Sequence, residues 1–419
     1  MTDRKYDRIL NTNLINLIVM KKFMLVLTAA AMVAACSKDD RKPQTSFEVP
    51  EEGGAPQALV LTTNVKAAVE VKSQGGVDKW NAAQNLHVYG YQRIKGGIDY
   101  TIATPFVDNV TAVSPAEGAA DNSLAVYYPG TTDLYYYDGN NAYDFYGFYV
   151  DELPVVPAAV ADGILVPVTI SGGEDIMVAK ADPTADVDKA EEEGFFTRPA
   201  TGWHDAYAYS AYAARRGIQP TLNFRHQLVR FRFYIVSGSE FDTVGDPDKN
   251  LVVKGLSVAS RYIADLCVAG DNIGLRNISE QTAPLALRTL DPATNQLVDL
   301  VPYEVPSKEV VITDESNLLG ESLMVIPNEP VEGQVDSYTI NVTMTQFGSE
   351  NNLPLRLSIS DVKDENGDPV TQQQFTAGYS YKVYVKVVGL EDVQISAQLE
   401  PWVDGGKVDI DSDVAPEIF

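Results

Sequence analysis

Every second residue is apolar along much of the chain from Leu59 onward. In residues 338–345 and 379–387, tyrosine, isoleucine, valine and methionine recur at every second position. Such alternation places one side of a strand in a core and the other in water. Turn-forming sequences such as Asp-Gly-Asn-Asn at 138–141 separate these segments. The pattern predicts an all-β chain of many short strands, which is typical of β-sandwiches.

One region, residues 181–220, departs from this pattern. It begins with an acidic stretch at 186–193 and continues with an aromatic-rich stretch that contains Trp203, Tyr207, Tyr209 and Tyr212. We interpret it as a long excursion with short helical pieces, near a domain boundary. Its aromatic residues either line a ligand cleft or pack the excursion onto a sandwich, and the second interpretation is favoured. The expected domains are an N-terminal sandwich over 58–220 and a C-terminal sandwich over 221–419.

The segment Leu222–Val236 changes phase along its length. Leu222, Phe224 and His226 share one parity, whereas the large apolar residues from Phe231 onward share the other. Because a slip of one residue turns every side chain to the opposite face, we predict a β-bulge or a break near Leu228-Val229 that restores the inward phase.

Residues 20–40 carry the pattern of a bacterial export signal. Lys21 and Lys22 precede an apolar stretch from Phe23 to Ala35, which is too short to cross a bilayer but suits the core of a signal peptide. Small residues stand directly before Cys36. This resembles a bacterial lipobox, in which the cysteine is lipidated and anchors the chain; the alternative is an ordinary signal peptide with a chance cysteine. Cys36 is therefore the candidate lipidation site, and outer-membrane lipid is an expected partner.

The residues after the cysteine refine the predicted location. Lys38, Asp39 and Asp40 resemble the surface-export signal of Bacteroides-type lipoproteins, and a solvated polar tether is the alternative. The predicted location is therefore the outer membrane, at the cell surface.

Three boundaries follow for the first part of the chain. Residues 1–19 fit no part of a signal, so Met20 is the expected start. Residues 37–57 are polar and rich in Pro, Gly and Glu, which predicts a flexible tether. We expect a signal region over 1–35 and a lipidated tether over 36–57.

Charge and cysteine content narrow the class of protein further. The chain has 32 Lys and Arg against 58 Asp and Glu, a net charge of −26. Because nucleic-acid binding needs basic patches, no nucleic-acid partner is expected, and the acidic balance suits an extracytoplasmic surface. With Cys36 lipidated, only Cys267 remains. No intrachain disulfide is then available, and stability must come from hydrophobic cores.

The sequence carries no motif for catalysis or metal binding, so we expect no catalytic site, cofactor or metal. Cys267 stands in an apolar run, which favours a core residue over a nucleophile. His226 shares a face with Phe224, which favours a buried, hydrogen-bonded histidine over a ligand. Residues 364–368 superficially suggest a calcium loop, but a glycine in the sixth position would put Val362 in the first, so a hairpin turn is the better interpretation.

An ordered set of motifs resembles the fimbrillin family of Bacteroides-type surface lipoproteins. The motifs are Trp80–Tyr91 (WNAAQNLHVYGY), Val126–Pro129 (VYYP), Tyr143–Tyr149 (YDFYGFY), Asp175–Lys180 (DIMVAK), Leu222–Leu228 (LNFRHQL), Phe375–Tyr381 (FTAGYSY) and Glu400–Gly406 (EPWVDGG). Each motif is weak alone, but their order behind a lipobox is fairly specific.

The resemblance implies two tandem transthyretin-like β-sandwich domains and a role in a fimbrium, with adhesion to a receptor on a host or bacterial surface. In this family a trypsin-like protease removes an N-terminal strand. The exposed groove then accepts a strand from another pilin subunit, which is a form of β-augmentation. The sequence leaves open whether this chain is a stalk, tip or anchor subunit.

The matching cleavage position differs from that of stalk fimbrillins, which carry an arginine after the first strand. Lys72 stands there instead, and no arginine occurs between Arg41 and Arg93. We expect either trypsin-like cleavage after Lys72 or no cut and a lipid-anchored accessory subunit. The alternative function, a surface glycan-binding lipoprotein of tandem sandwiches, would need exposed aromatics, for which only Trp203 is free.

Overall fold

Strands supply most of the regular structure, as the alternating pattern predicts. The computed structural model describes residues 56–66, 85–114, 125–126, 134–136, 141–151, 154–237, 250–294, 296–305, 317–364 and 366–400. All of these residues belong to one compact unit. Among them, no helix combines the length and the apolar composition needed to cross a membrane.

The first part of the chain contributes ten strands within these ranges and the two α-helices. The strands are β1 (Gln57–Leu59), β2 (Thr62–Lys66), β3 (Asn85–Gln92), β4 (Val107–Val113), β5 (Ala125–Val126), β6 (Leu134–Tyr136), β7 (Tyr143–Tyr149), β8 (Ala158–Val160), β9 (Gly163–Thr169) and β10 (Met177–Lys180). The helices are α1 (Pro183–Glu192) and α2 (Ala211–Ala214), with a short 3-10 helix at Asp205–Tyr207 between them.

The rest of the described chain is built from strands and one further 3-10 helix, Ile359–Asp361. The strands are β11 (Thr221–His226), β12 (Val229–Ser237), β13 (Val252–Arg261), β14 (Ile263–Gly270), β15 (Gly274–Arg276), β16 (Thr282–Ala286), β17 (Arg288–Asp291), β18 (Gln296–Asp299), β19 (Tyr303–Glu304), β20 (Leu318–Val325), β21 (Ser337–Gln346), β22 (Ser349–Ser358), β23 (Val362–Lys363), β24 (Ser380–Val387) and β25 (Val393–Glu400).

Four larger sheets organise these strands. A seven-stranded sheet has the order β2-β11-β10-β7-β3-β4-β5, and a four-stranded sheet has the order β15-β14-β9-β8. Two five-stranded sheets follow, β20-β12-β24-β25-β23 and β16-β13-β21-β22, the second with β19 paired to β13. The pairs β1-β6 and β17-β18 stand as separate two-stranded sheets.

The seven-stranded sheet is buried on both faces. Phe145 and Phe224 lie in a core formed with the excursion 181–220. On the opposite face, Tyr146 and Phe148 join a larger core that also holds residues of β9 and β14 and continues into the two five-stranded sheets. The aromatic-rich strands of the sequence therefore separate two cores, and this explains why their apolar residues are nearly continuous.

The boundary expected between residues 220 and 221 does not coincide with a change of sheet. Strand β11 begins at Thr221, yet it pairs with β10 and β2 in the seven-stranded sheet. In addition, β14 pairs with β9, although β14 lies well inside the expected C-terminal domain. Main-chain pairing with earlier strands takes both β11 and β14 out of the expected C-terminal sandwich. The chain enters the five-stranded sheets only at β12, after His226.

The predicted break near Leu228-Val229 is confirmed. Strand β11 ends at His226 and β12 begins at Val229. Phe224 is buried in the core of the excursion, whereas Phe231 is buried in the larger core. The short interruption lets the inward face change parity, because the chain passes from one sheet to another at this point.

Candidate functional site: the N-terminal strand and its groove

Residues 57–63 lie in a groove and alternate between inward and outward positions. Leu59 and Leu61 are buried in the core of the excursion, and Leu61 is only 2% exposed. Thr63 is also buried, whereas Val60 between the two leucines is 41% exposed. The segment therefore inserts every second side chain into the protein, as a half-buried strand does.

Main-chain pairing holds the same segment along two neighbours. Strand β2 runs parallel to β11, from Thr62 beside Thr221 to Lys66 beside Arg225. Strand β1 runs antiparallel to β6, with Gln57 beside Tyr136. Since β2 stands at the end of the sheet order, β11 is its one strand neighbour among the described residues.

Side chains add to this ladder where β1 passes into β2. The amide nitrogen of Val60 donates to Oε1 of Gln219 at 3.1 Å, and Nε2 of Gln219 donates to the carbonyl of Ala58 at 3.2 Å. The amide of Thr62 donates to the carbonyl of Pro220 at 3.1 Å. The hydroxyl of Thr62 donates to that of Thr221 at 3.0 Å. The end of the excursion thus forms one wall of the groove.

A buried carboxylate fixes that wall. Oδ2 of Asp186, on α1, accepts the hydroxyl of Tyr209 at 2.5 Å and the amide of Thr221 at 2.8 Å. Burial raises the pKa of Asp186, and the hydrogen bonds from Tyr209 and Thr221 oppose part of this rise. The carboxylate links the excursion helix to the first residue of β11, which is the strand that receives β2.

Two local backbone features accompany the contacts of Asp186 with Tyr209 and Thr221. Tyr209 is buried with φ at 61°, a left-handed conformation that is uncommon for an aromatic residue. In β7, a Cβ built on Gly147 would lie 2.6 Å from Cζ of Phe224. Glycine at 147 therefore allows the ring of Phe224, which belongs to β11 of the same sheet, to lie close against β7.

The aromatic residues of the excursion pack against one another. Trp203 lies 4.6 Å from Phe196 and 6.0 Å from Tyr212, measured between ring centroids, and its indole nitrogen donates to Asp205 at 2.8 Å. The guanidinium of Arg216 lies 3.7 Å from the ring centroid of Tyr212. Trp203 is thus a member of a half-buried aromatic cluster that packs against the core of the excursion, which favours packing over a ligand cleft.

The residues that the sequence singled out have separate positions. His226 is buried and its Nδ1 lies 2.7 Å from Oδ2 of Asp175, as expected for a hydrogen-bonded core histidine. Cys267 is buried in β14. Residues 364 and 366–368 form the expected turn, in which Oδ1 of Asp364 accepts the amides of Asn366 and Asp368. Among the described residues, no group of three or more His, Cys, Asp or Glu side chains is placed to hold a metal ion.

The predicted lipidation, export and cleavage residues lie outside the described residues: Cys36, Lys38, Asp39, Asp40 and Lys72. Trp80 and Trp402 also lie outside them. Sequence reasoning missed Gln219 and Asp186, whose contacts join positions far apart in the chain. The alternation Leu59-x-Leu61-x-Thr63 was a signal for the buried strand, since it begins directly after the polar tether.

These features define an all-β protein that holds its own N-terminal segment as an edge strand. A sequence comparison matches residues 71–402 to the fimbrillin-like family. The chain belongs to the fimbrillin-like family, and the resemblance seen in its ordered motifs is confirmed. No curated protein sequence matches the chain.

Several solved structures are similar to this chain at low sequence identity. A candidate cell adhesion protein from Bacteroides uniformis is 16% identical, with a TM-score of 0.42, and the match covers 83% of this chain and 98% of that one. A C-terminally truncated tip fimbrial protein from Porphyromonas gingivalis is 10% identical, with a TM-score of 0.33 and coverage of 82% and 100%. A fimbrilin from Porphyromonas gingivalis W83 is 10% identical, with a TM-score of 0.36 and coverage of 83% and 98%.

Proposed function

We propose that this chain is a structural or accessory subunit of a cell-surface pilus, assembled by exchange of its N-terminal strand. The observation that carries the proposal is the binding of residues 57–63. They are held by main-chain hydrogen bonds and by alternate side chains in pockets. This is how β-augmentation binds a strand, with affinity from the main chain and specificity from the pockets.

A single cut after Lys72 would be sufficient to separate the N-terminal strands from the rest of the chain. Lys72 follows the last residue of β2, Lys66, and precedes the first residue of β3, Asn85. Cleavage there separates β1 and β2 from the rest of the chain without breaking a described strand. The groove then exposes the edge of β11 and the sites of Leu59 and Leu61 to a strand from another subunit.

Arg93 is a poor alternative cleavage site. Its guanidinium is held by Asp144, with NH2 at 2.6 Å from Oδ1, and also donates to the carbonyls of Tyr143 and Ala206. A protease would have to extract a partly buried, charge-paired side chain, which is costly. We therefore infer cleavage by a trypsin-like protease that accepts lysine.

The anchor and location complete the proposal. Lipidation at Cys36, with the export signal Lys38, Asp39 and Asp40, would hold the precursor in the outer membrane at the cell surface. The partners are other pilin subunits, outer-membrane lipid and a receptor on a host or bacterial surface. The paired larger sheets, seven with four strands and five with five, support assignment to tandem transthyretin-like sandwiches.

The glycan-binding alternative gains no support from the excursion. A sugar platform needs an aromatic face open to solvent, but Trp203 packs against Phe196 and Tyr212, and Arg216 lies over Tyr212.

Limited trypsin digestion of the purified precursor tests the proposal. We expect a stable fragment that begins at Ser73 and forms ladders on non-boiled gels. Lys72→Gln should abolish both the fragment and the ladders. Lys95→Gln, which changes an exposed lysine in a turn, is the matched control and should behave as the parent does. Ladders that persist in the Lys72→Gln protein would refute release at this site, and uncut protein in isolated pili would favour the accessory, lipid-anchored role.

A further inference from the structure

The main-chain ladder between β2 and β11 cannot continue toward the N-terminus past Thr62. Residue 220 is proline, which has no amide hydrogen to donate to the neighbouring strand. The last backbone bond at this end is from the amide of Thr62 to the carbonyl of Pro220. Beyond it, Ala58 and Val60 lie beside Gln219, which precedes the first residue of β11, Thr221.

The side chain of Gln219 bonds the backbone groups of the segment that lie beyond the end of this ladder. A carboxamide carries one acceptor oxygen and one donor nitrogen, like a peptide group. Oε1 accepts the amide of Val60 and Nε2 donates to the carbonyl of Ala58. The two partners also fix which atom is oxygen, because Val60 offers a donor and Ala58 an acceptor.

We propose that Gln219 is a positioning residue that sets the register of whichever strand occupies the groove. This inference rests on the proposed strand exchange. Both of these hydrogen bonds of Gln219 are to main-chain atoms of the segment, so they do not depend on the side chains of the strand. It bonds the carbonyl of one residue and the amide two residues further on, and these two bonds fix the position of the strand along the groove.

Register matters because the pockets of the groove accept every second side chain of the strand. With Gln219 bonded at positions 58 and 60, the residues at 59 and 61 point into the core of the excursion. A shift of one residue would turn Leu59 and Leu61 to solvent and drive Val60 inward. The accepted strand should therefore carry two large apolar residues at alternate positions, followed by a small hydroxyl residue at the place of Thr63.

The first test uses the full chain and does not depend on strand exchange. Hydrogen exchange of residues 57–63, measured by mass spectrometry, is compared for the parent, Gln219→Met and Gln219→Glu. Loss of both bonds in Gln219→Met should speed exchange of this segment about tenfold. Glutamate keeps the acceptor for Val60 but loses the donor to Ala58, so its rate should fall between the other two.

Gln373→Met, in an exposed loop far along the chain, is the matched control and should leave these rates unchanged. A role in packing alone would give Gln219→Met, which has a side chain of similar length, the exchange rate of the parent. Equal rates for the parent and Gln219→Met would overturn the proposal.

The second test reads register directly. The chain with Thr221→Cys is cleaved by trypsin, then oxidised with an excess of a peptide of residues 56–66 that carries a cysteine at position 60, 62 or 64. Cys267 is buried and does not compete. With Gln219 present, the peptide with Thr62→Cys should be trapped in most of the product, because Thr62 and Thr221 are neighbours. In Gln219→Met the trapped product should spread to positions 60 and 64.

The outcomes separate the two proposals. Capture of no peptide refutes strand acceptance, while the exchange rates still decide the role of Gln219 in the intact chain. Capture with the same distribution in both proteins overturns the assignment of register to Gln219.

Discussion

Two parallel strand pairs in this chain share a hydrogen-bonding mode and differ in their surroundings. Strand β24 pairs with β12 from Ser380 beside Arg230 to Val387 beside Ser237, and β25 covers its other edge. Strand β2 pairs with β11 in the same direction but stands at the end of its sheet. The first strand can leave only if two ladders break, whereas the second is released from one.

Burial widens this difference. Strand β24 places Tyr381 and Val383 in the larger core and Tyr384 in a small cluster with Tyr234 on the opposite face. Residues 59–63 bury Leu59, Leu61 and Thr63 on one face, whereas Val60 between them is exposed. Neighbouring strands and buried faces, rather than parallel pairing itself, therefore decide which strand of this fold can be exchanged.

The largest expected loss of stability comes from a substitution in β12, the strand that pairs with β24. Phe231 is fully buried and its ring packs at 5.4 Å from Tyr338, 5.5 Å from Phe375 and 5.9 Å from Tyr381, between centroids. Phe231→Ala should lower the free energy of unfolding by about 3–5 kcal/mol, because it leaves a cavity among aromatic rings. Urea denaturation measures the loss. A loss of less than about 1 kcal/mol would contradict the interpretation that this aromatic cluster holds β24 in place.

A smaller and more local effect is expected at β2. Leu61→Ala should lower the free energy that holds residues 57–63 in the groove by about 2–5 kcal/mol. Hydrogen exchange of this segment should therefore be faster, with little change in β24. Val60→Ala is the matched control, since Val60 is 41% exposed. If Leu61→Ala speeds exchange in β24 as much as in β2, the two regions open together and the comparison fails.

The third prediction concerns the packing that positions β11. In Gly147→Ala the new Cβ would meet Cζ of Phe224 at 2.6 Å and Cδ1 of Leu222 at 3.0 Å. Overpacking of this kind costs about 1–3 kcal/mol of unfolding free energy, and β2 should then loosen with β11. Gly255→Ala is the control, because its Cβ would meet nothing closer than 3.7 Å. Equal stability of the two variants in urea would contradict the steric argument.

The sequence predicted what depends on local pattern. Alternation gave the strands, and the change of phase after Phe224 located the break between β11 and β12, since both depend on which side of the chain faces a core. The Leu59-x-Leu61 pattern likewise marks a strand that is buried on one face.

The partners of these elements could not be predicted in the same way. The expected boundary at residue 221 does not coincide with a change of sheet, because β11 and β14 pair with strands distant in sequence. Alternation carries no information about such pairing. Gln219 and Asp186 were missed because their roles arise from contacts with Val60 and Thr221 across the groove. A lone glutamine or aspartate in a polar stretch gives no such signal.

The smallest expected effect is a dependence on pH at the wall of the groove. Burial raises the pKa of Asp186 in the folded protein above its unfolded value. The contribution of such a group to stability is fully present below the unfolded pKa and is lost as pH rises through the folded pKa. Lys189, on the same helix, opposes the rise by favouring the charged form.

Asp186→Asn isolates this contribution, because asparagine keeps an acceptor for Tyr209 and Thr221 and does not titrate. The variant should therefore gain stability relative to the parent as pH rises from acidic to neutral, even if it is the weaker protein in acid. Urea unfolding of both proteins across this range measures the difference, in which the many other carboxylates cancel. Glu192→Gln, which changes an exposed carboxylate at the end of the same helix, is the control for the loss of one charge from α1. If the difference in unfolding free energy between Asp186→Asn and the parent were constant at all pH values, the carboxylate would titrate alike in the folded and unfolded chains. The prediction of a pH dependence at the groove wall would then be wrong.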